Sequence, residues 1–224
     1  MKIFIVGSGK LATAILSDLV LPNCEIVKWE NKTIDSVEKS ILIHAGSGRQ
    51  LQECVEFCHN TKSVFIELST GLETENLNPD FPLIICPNTS LLLLKTMNMI
   101  KENGIQFKDY QVSITESHQS SKSSVPGTAI SFAQSLILPA GKINSVREKE
   151  FQLNNLRIPQ EYLDKHAYHK IVIQDGLDEV VIETKILGHT SYIKGVRKII
   201  EAILNNQLDN RRYSVLELIK QEVV

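Results

Sequence analysis

Residues 116–129 read Glu-Ser-His-Gln-Ser-Ser-Lys-Ser-Ser-Val-Pro-Gly-Thr-Ala. The stretch places an imidazole at His118 and an ammonium at Lys122, then a Pro126-Gly127-Thr128 turn that opens a helix. An imidazole with an ordinary pKa of about 6.5 can hold and release a proton near neutrality. A lysine in a partly dry cleft stabilises an anion and the charge that develops on it. The first N–H groups of a helix form a seat for a carboxylate. Together these groups suit the binding of a small anionic substrate and its protonation during a reduction. Taken singly, His118 and Lys122 are also ordinary loop residues.

A second constellation lies at the N-terminus. Gly7-Ser8-Gly9-Lys10-Leu11-Ala12 follows an apolar run and opens an amphipathic one. This is the G-x-G-x-x-A form of the dinucleotide fingerprint. Gly7 permits the tight turn, Gly9 lets a pyrophosphate approach the backbone, and Ala12 keeps the helix close to the sheet. Ser8, Lys10 and Leu11 complete the phosphate turn. Glu30 follows Gly7 at close to the separation of about 20 residues expected for the carboxylate that binds a ribose. A carboxylate there repels a 2′-phosphate and so favours NADH over NADPH, and the neighbouring Lys32 offsets that repulsion. Trp29 is expected in the core. Two more turns, 44–49 and 69–71, are expected to edge a cofactor. In them Arg49 is either a phosphate contact or a surface arginine, and His44 is structural or cofactor-adjacent.

The elements that must carry these groups follow from periodicity. Strands are expected at 2–6, 25–29, 41–45, 63–68 and 83–86, with helices at 10–19 and 49–58. Strands alternating with helices predict a Rossmann-type parallel sheet. The pattern then changes. Helices are expected at 90–103, 127–138, 191–204 and 215–222. Strands are expected at 111–116, 169–173 and 179–185, and 146–168 reads as polar and irregular. The fold class is therefore α/β, a nucleotide-binding domain at 1–87 and 190–224 with an α+β domain carrying an open mixed sheet at 88–189.

The bulk composition excludes several classes. The chain has 224 residues, 42% hydrophobic, with a net charge of −2 and scattered Lys and Arg. No nucleic-acid footprint, polybasic membrane patch or bilayer-spanning run is present. The N-terminus enters a strand directly, so no signal peptide is expected. Cys24, Cys54, Cys58 and Cys86 form no disulfide-dense pattern, which points to reduced thiols in a cytoplasm. Cys54, Cys58 and His59 lack zinc-type spacing, so no metal is expected.

The stretch around His118 resembles the signature of dihydrodipicolinate reductase, E-x-H-H-x-x-K-x-D-x-P-S-G-T-A. Glu116, His118, Lys122, Pro126, Gly127, Thr128 and Ala129 match it. Ser69-Thr70-Gly71 is similar to the family's T-T-G, and Pro87-Asn88-Thr89-Ser90 to its A-N-F-S. His169 is similar to the histidine of its G-D-H, and Tyr192-Ile193-Lys194-Gly195 to its F-A-x-G. The resemblance implies reduction of 4-hydroxy-tetrahydrodipicolinate by NADH or NADPH, in lysine and diaminopimelate synthesis. It implies His118 as general acid, Lys122 as carboxylate-binding ammonium, and Gln119, Gly127 and Thr128 as substrate contacts. Ser69, Thr70, Gly71, Pro87 and Asn88 join the cofactor shell. It also implies a small dicarboxylate substrate, hinge closure of the two domains, and a homotetramer or homodimer built through the open sheet. The chain departs from the pattern at Gln119 (a second histidine in the family), Ser124 (an aspartate), His189 (an arginine) and Tyr192 (a phenylalanine), and the serine of P-S-G-T is missing. These departures leave open a relative acting on another cyclic imine or amino acid, or a nucleotide-binding paralogue without chemistry. His166 and His169 flank Tyr168; either one reaches the substrate or they form a surface pair.

Overall fold

The computed structural model describes residues 1–30, 38–122 and 126–224. Lys32 and Ser124 lie outside the described residues. The chain divides into two compact units, Met1–Leu91 with Tyr192–Val224, and Leu92–Ser191.

In the first unit, β1 (Lys2–Val6) leads through α1 (Lys10–Asp18) to β2 (Glu25–Lys28) and then β3 (Ile41–His44). Next come α2 (Leu51–Thr61), β4 (Val64–Glu67) and β5 (Leu83–Ile85). All four residues of β3 and of β4 are buried. That is the near-continuous apolar reading of strands covered on both faces. Ala12 and Ile15 carry the buried side of α1. Trp29 is buried and makes edge-to-face contacts with Phe4 and Phe57, at centroid separations of 5.6 and 5.3 Å. These are favourable aromatic geometries, so Trp29 is a core residue as expected.

The second unit begins with α3 (Leu91–Asn103) and β6 (Gln111–His118). It continues through α4 (Gly127–Ser135), β7 (Ile143–Val146) and α5 (Lys149–Asn154) to the long pair β8 (His166–Asp175) and β9 (Asp178–Leu187). The sheet order is β7-β6-β8-β9, with β6 and β7 parallel and the other pairs antiparallel. The outer strand β9 leaves Val180 and Val181 exposed.

The chain then returns to the first unit. α6 (Thr190–Asn205) buries Ile193, Val196, Ile199, Ile200 and Ile203, spaced three and four apart on one face. Within the unit, Gly195 lies against the turn before α3. A Cβ built there would sit 1.5 Å from the Thr89 carbonyl oxygen. Then follow β10 (Arg212–Ser214) and α7 (Val215–Lys220), the latter capped by Ser214 Oγ accepting from the Leu216 N–H. The six-stranded sheet runs β10-β5-β4-β3-β1-β2, all pairs parallel. This is the Rossmann-type arrangement, and the second sheet is the expected mixed one.

Several elements differ from the periodicity reading, and β7 was not expected at all. β6 extends through His118, because its pairing with β8 continues to Ala167. α4 ends at Ser135 and not 138. Ile137 takes a left-handed φ of 56°, while the Leu138 N–H bonds to Ala133 O and the Ile137 N–H to Gln134 O. That is a Schellman closure without glycine. The span 146–168 is not irregular. It contains α5 and the start of β8, held by a local apolar cluster of Val146, Leu156, Ile158, Leu163 and Tyr168. β10 was not expected, since three residues are too few to show a period.

Candidate functional site

Two sites emerge, one in each unit. In the first unit, Gly7 follows β1 at φ 123°, and an added Cβ would lie 2.4 Å from Ala45 O. Only glycine permits both that backbone conformation and the close approach of the β3 turn. Gly9 is the N-cap of α1. It has no side-chain cap, and a Cβ built on it meets nothing within 4 Å. The leading N–H groups of α1 therefore face open space at the positive end of the helix dipole. That space is a cleft of about 740 Å³ lined by Gly7, Ser8, Gly9, Glu30, His44, Gly46 and Arg49 among others. Its polar edges and glycine cradle fit a dinucleotide, with the pyrophosphate at Gly7–Gly9 and a ribose at Glu30.

The cleft brings together Gly7, Ser8, Gly9 and Glu30 from the sequence reading. Lys10, Leu11, Ser69, Thr70, Gly71, Pro87 and Asn88 are not among its lining residues. Lys10 and Leu11 open α1, with Lys10 exposed. Ser69 acts beside the cleft: its hydroxyl donates to Gly46 O at 2.7 Å, pinning the β3 and β4 turns together. Gly71, at φ 73°, donates its N–H to Glu75, and Thr70 is exposed. Pro87 is exposed, while Asn88 Oδ1 accepts the Ser90 N–H at the start of α3.

Beneath the cleft lies a pair the sequence did not disclose. His44 ends β3 and Glu67 ends β4, and their register makes them neighbours. Both side chains are buried, with His44 Nδ1 2.7 Å from Glu67 Oε1. The same oxygen accepts the Ser69 N–H at 2.9 Å, and Oε2 accepts from Thr74 Oγ1 at 3.3 Å.

The second unit builds its site on the last turn of β6. Residues 116 and 118 point to one side of the strand by alternation. Glu116 Oε2 lies 2.9 Å from His118 Nδ1, and Arg147 Nη2 donates to Glu116 Oε1 at 2.6 Å. Arg147 Nε also donates to the Lys122 carbonyl at 2.9 Å. One guanidinium thus fixes both the carboxylate beneath His118 and the backbone of Lys122. Burial would push Glu116 up. Hydrogen bonds from His118, Arg147 and Ser145, and the Arg147 charge, outweigh it and hold its pKa at about 2. Because Glu116 engages Nδ1, Nε2 is the His118 nitrogen left to exchange a proton.

His166 and His169 are buried, so they are not a surface pair. Their rings lie 6.5 and 5.8 Å from that of His118, and Phe132 of α4 meets His169 edge-on. Burial, then the electrostatic influence of the neighbouring His118, lowers His169 to about 3; the nearby Glu116 only partly opposes this. His166 is also lowered, chiefly by burial. Its bonding fits a neutral ring. Nδ1–H donates to the Tyr162 and Leu163 carbonyls, and Nε2 accepts from Ser117 Oγ. Gln152, fully buried, donates to Ser117 Oγ and to the His118 carbonyl at 3.0 and 2.8 Å. Of the three rings, His118 is the one solvent reaches, at 14% exposure.

Gln119 and Lys122 are half-buried in the turn that follows, closed by the Lys122 N–H to Gln119 O. Pro126 caps α4 without a side-chain bond, and a Cβ on Gly127 would meet nothing within 4 Å. Among the described residues, no side chain caps the Gly127 and Thr128 N–H groups that open this nine-residue helix. Sequence reasoning missed Arg147, Gln152 and the His44–Glu67 pair. Arg147 and Gln152 sit in the stretch read as irregular, and nothing in their local pattern marks them.

A glycine turn over an uncapped helix in a parallel sheet defines a Rossmann-type protein, here with a second unit on a mixed sheet carrying an imidazole–carboxylate–guanidinium line. Residues 92–219 match the family model described as "Dihydrodipicolinate reductase, C-terminus". The chain belongs to the dihydrodipicolinate reductase family. It is 30% identical over 96 residues to the rice protein "Probable 4-hydroxy-tetrahydrodipicolinate reductase 1, chloroplastic" (Oryza sativa subsp. japonica), covering 40% of this chain and 28% of that protein. It is 26% identical over 128 residues to "4-hydroxy-tetrahydrodipicolinate reductase 1, chloroplastic" of Arabidopsis thaliana, covering 51% of this chain and 36% of that one. The matches thus span about a third of the length of these relatives. Among solved structures, a dipicolinate-bound dihydrodipicolinate reductase from Paenisporosarcina sp. TG-14 superposes with a TM-score of 0.66 at 16% identity, covering 98% of this chain and 99% of that one. At that identity the likeness establishes the fold. Among the described residues, no helix is long and apolar enough to cross a membrane.

Proposed function

We propose that the protein is a nicotinamide-dependent reductase that converts 4-hydroxy-tetrahydrodipicolinate to tetrahydrodipicolinate in lysine and diaminopimelate synthesis. The reaction takes up one hydride and one proton and releases water. NADH or NADPH supplies the hydride when bound; Gly7, Ser8, Gly9 and Glu30 would hold it, with Glu30 favouring NADH. The remaining work belongs to side chains of the second unit. His118 holds the proton at Nε2, with its ring fixed through Nδ1 by Glu116. Lys122 and the Gly127–Thr128 N–H groups hold the two carboxylates, and Gln119 donates to one of them. His166 and His169, kept toward neutral, add no charge that would compete for the diacid.

The observation that carries this reading is the Arg147 bridge. It bonds Glu116 under His118 and the Lys122 carbonyl at once, so the proposed acid and cation are built as one unit. A non-catalytic paralogue would have no need for that arrangement. A second reading, a related imine with one carboxylate, is favoured by Gln119, which is neutral where the family pattern has histidine.

The test is a coupled assay supplying freshly generated substrate with each nucleotide in turn. His118→Ala and Lys122→Ala should each lose at least about 100-fold in turnover while NADH binding is kept. No turnover by the folded wild type with either nucleotide would refute the reading; turnover only on a monocarboxylate analogue would select the second one. We also propose a homodimer or homotetramer built through β9, where Val180 and Val181 lie exposed. Sedimentation of a single-chain mass for the wild type would exclude it.

A further inference from the structure

The buried pair His44–Glu67 has no part in the chemistry assigned to the second unit, yet His44 lines the cleft. Glu67 is fully engaged, since its oxygens accept from His44 Nδ1, the Ser69 N–H and Thr74 Oγ1. A carboxylate so bonded fixes the imidazole by its Nδ1 edge, and Nε2 becomes the other hydrogen-bonding edge. Among the described residues His44 hydrogen-bonds through Nδ1 alone. Nε2 lies beside Gly46, where an added Cβ would stand 3.1 Å from it. The absence of a side chain at Gly46 thus keeps the space next to Nε2 clear.

The sheet order indicates which part of a ligand passes there. β2, β1 and β3 are adjacent, in that order. Glu30 lies two residues beyond the end of β2, the Gly7–Gly9 turn follows β1, and His44 ends β3. Strands are spaced by about 4.8 Å. A dinucleotide with one ribose at Glu30 and its pyrophosphate over β1 therefore carries its second ribose over β3. A hydroxyl both donates and accepts, so it can bond Nε2 whichever form the imidazole takes; a phosphate could bond only the protonated ring.

We propose that His44, positioned by Glu67, binds a hydroxyl of the nicotinamide-side ribose of the dinucleotide. The inference rests on the reading that the cleft takes a nicotinamide dinucleotide. It adds a contact on the side of the pyrophosphate opposite Glu30.

The test uses binding and not turnover. Calorimetric titrations of the full chain with NADH, ADP-ribose and ADP separate the ligand's parts, because ADP-ribose carries the second ribose and ADP lacks it. The wild type should prefer ADP-ribose to ADP by about five- to tenfold. Gly46→Ala, which keeps both members of the His44–Glu67 pair and puts a methyl group against Nε2, should erase that preference while ADP affinity stays within about twofold. The double variant His44→Leu/Glu67→Gln, which leaves no carboxylate buried without its hydrogen-bonding partner, should do the same. A third arm needs no variant: ADP-ribose with the hydroxyls of its terminal ribose replaced by hydrogen should bind the wild type no better than ADP. If that deoxy ligand binds as tightly as ADP-ribose, or if the variants keep the preference, the inference is overturned. Equal loss of ADP and ADP-ribose affinity would also overturn it, by making the pair purely structural. If the wild type binds none of the three ligands, the dinucleotide reading itself falls and takes the inference with it.

Discussion

Replacing Glu116 by Gln tests the electrostatic centre of the second unit. The side chain is fully buried, and its carboxylate is held at about 2 against an ordinary value of 4.5. That gap corresponds to about 3 kcal/mol favouring the folded state when the group is ionised. The sign follows from the depressed pKa. The stabilisation is fully present above about pH 4.5 and is lost as pH falls through about 2. Glu116→Gln keeps the shape and one acceptor but removes the charge that Arg147 and His118 answer. Urea unfolding followed by far-UV circular dichroism, from pH 2 to 7, should show the variant less stable by about 3 kcal/mol at neutral pH. The difference should shrink steadily toward zero near pH 2. Trp29 fluorescence, which reports the core of the first unit, locates the effect. Added salt should leave the difference in place, because a buried carboxylate is weakly screened. A gap that stays constant across this range would show that Glu116 is not held ionised by its partners.

Gly7→Ala should lower the melting temperature and abolish dinucleotide binding, since its Cβ collides with Ala45 O. Gly9→Ala should keep the melting temperature and weaken binding about tenfold, because its Cβ enters only the open cleft; equal effects of the two would contradict the assigned turn geometry. Gly195→Ala should cost about 3 kcal/mol or more in chemical denaturation, with a Cβ driven into the Thr89 carbonyl. Ile137→Gly should raise stability by about 1 kcal/mol, because it relieves an exposed, left-handed β-branched residue. His169, lowered to about 3, should stay neutral from pH 8 to about pH 4 in nitrogen-detected NMR of the imidazoles; a titration near pH 6 would refute its burial.

Much of the fold was legible because its signals are local. The burial of both faces of β3 and β4 shows as unbroken apolar runs, and α6 shows as a stripe of Ile and Val. The glycine turn shows because a positive φ and a close backbone approach admit one residue type. His118, Lys122 and the Gly127–Thr128 turn stood out because they lie within one short stretch. The roles proposed for them rest on their matches to the family signature.

What the sequence determined, then, is what neighbours along the chain decide: the strand–helix alternation, the glycine turn and the candidate acid and cation. What only the tertiary structure decided is what strand pairing across the sheets creates. Arg147 meets Glu116 because β7 pairs in parallel with β6. His169 loses its surface because its partner on β6 is Glu116 and Phe132 covers it. His44 meets Glu67 because β3 and β4 align their last residues. Each contact joins residues more than 20 positions apart. Its strength comes from shared burial, a property of the assembled sheets that no local pattern carries.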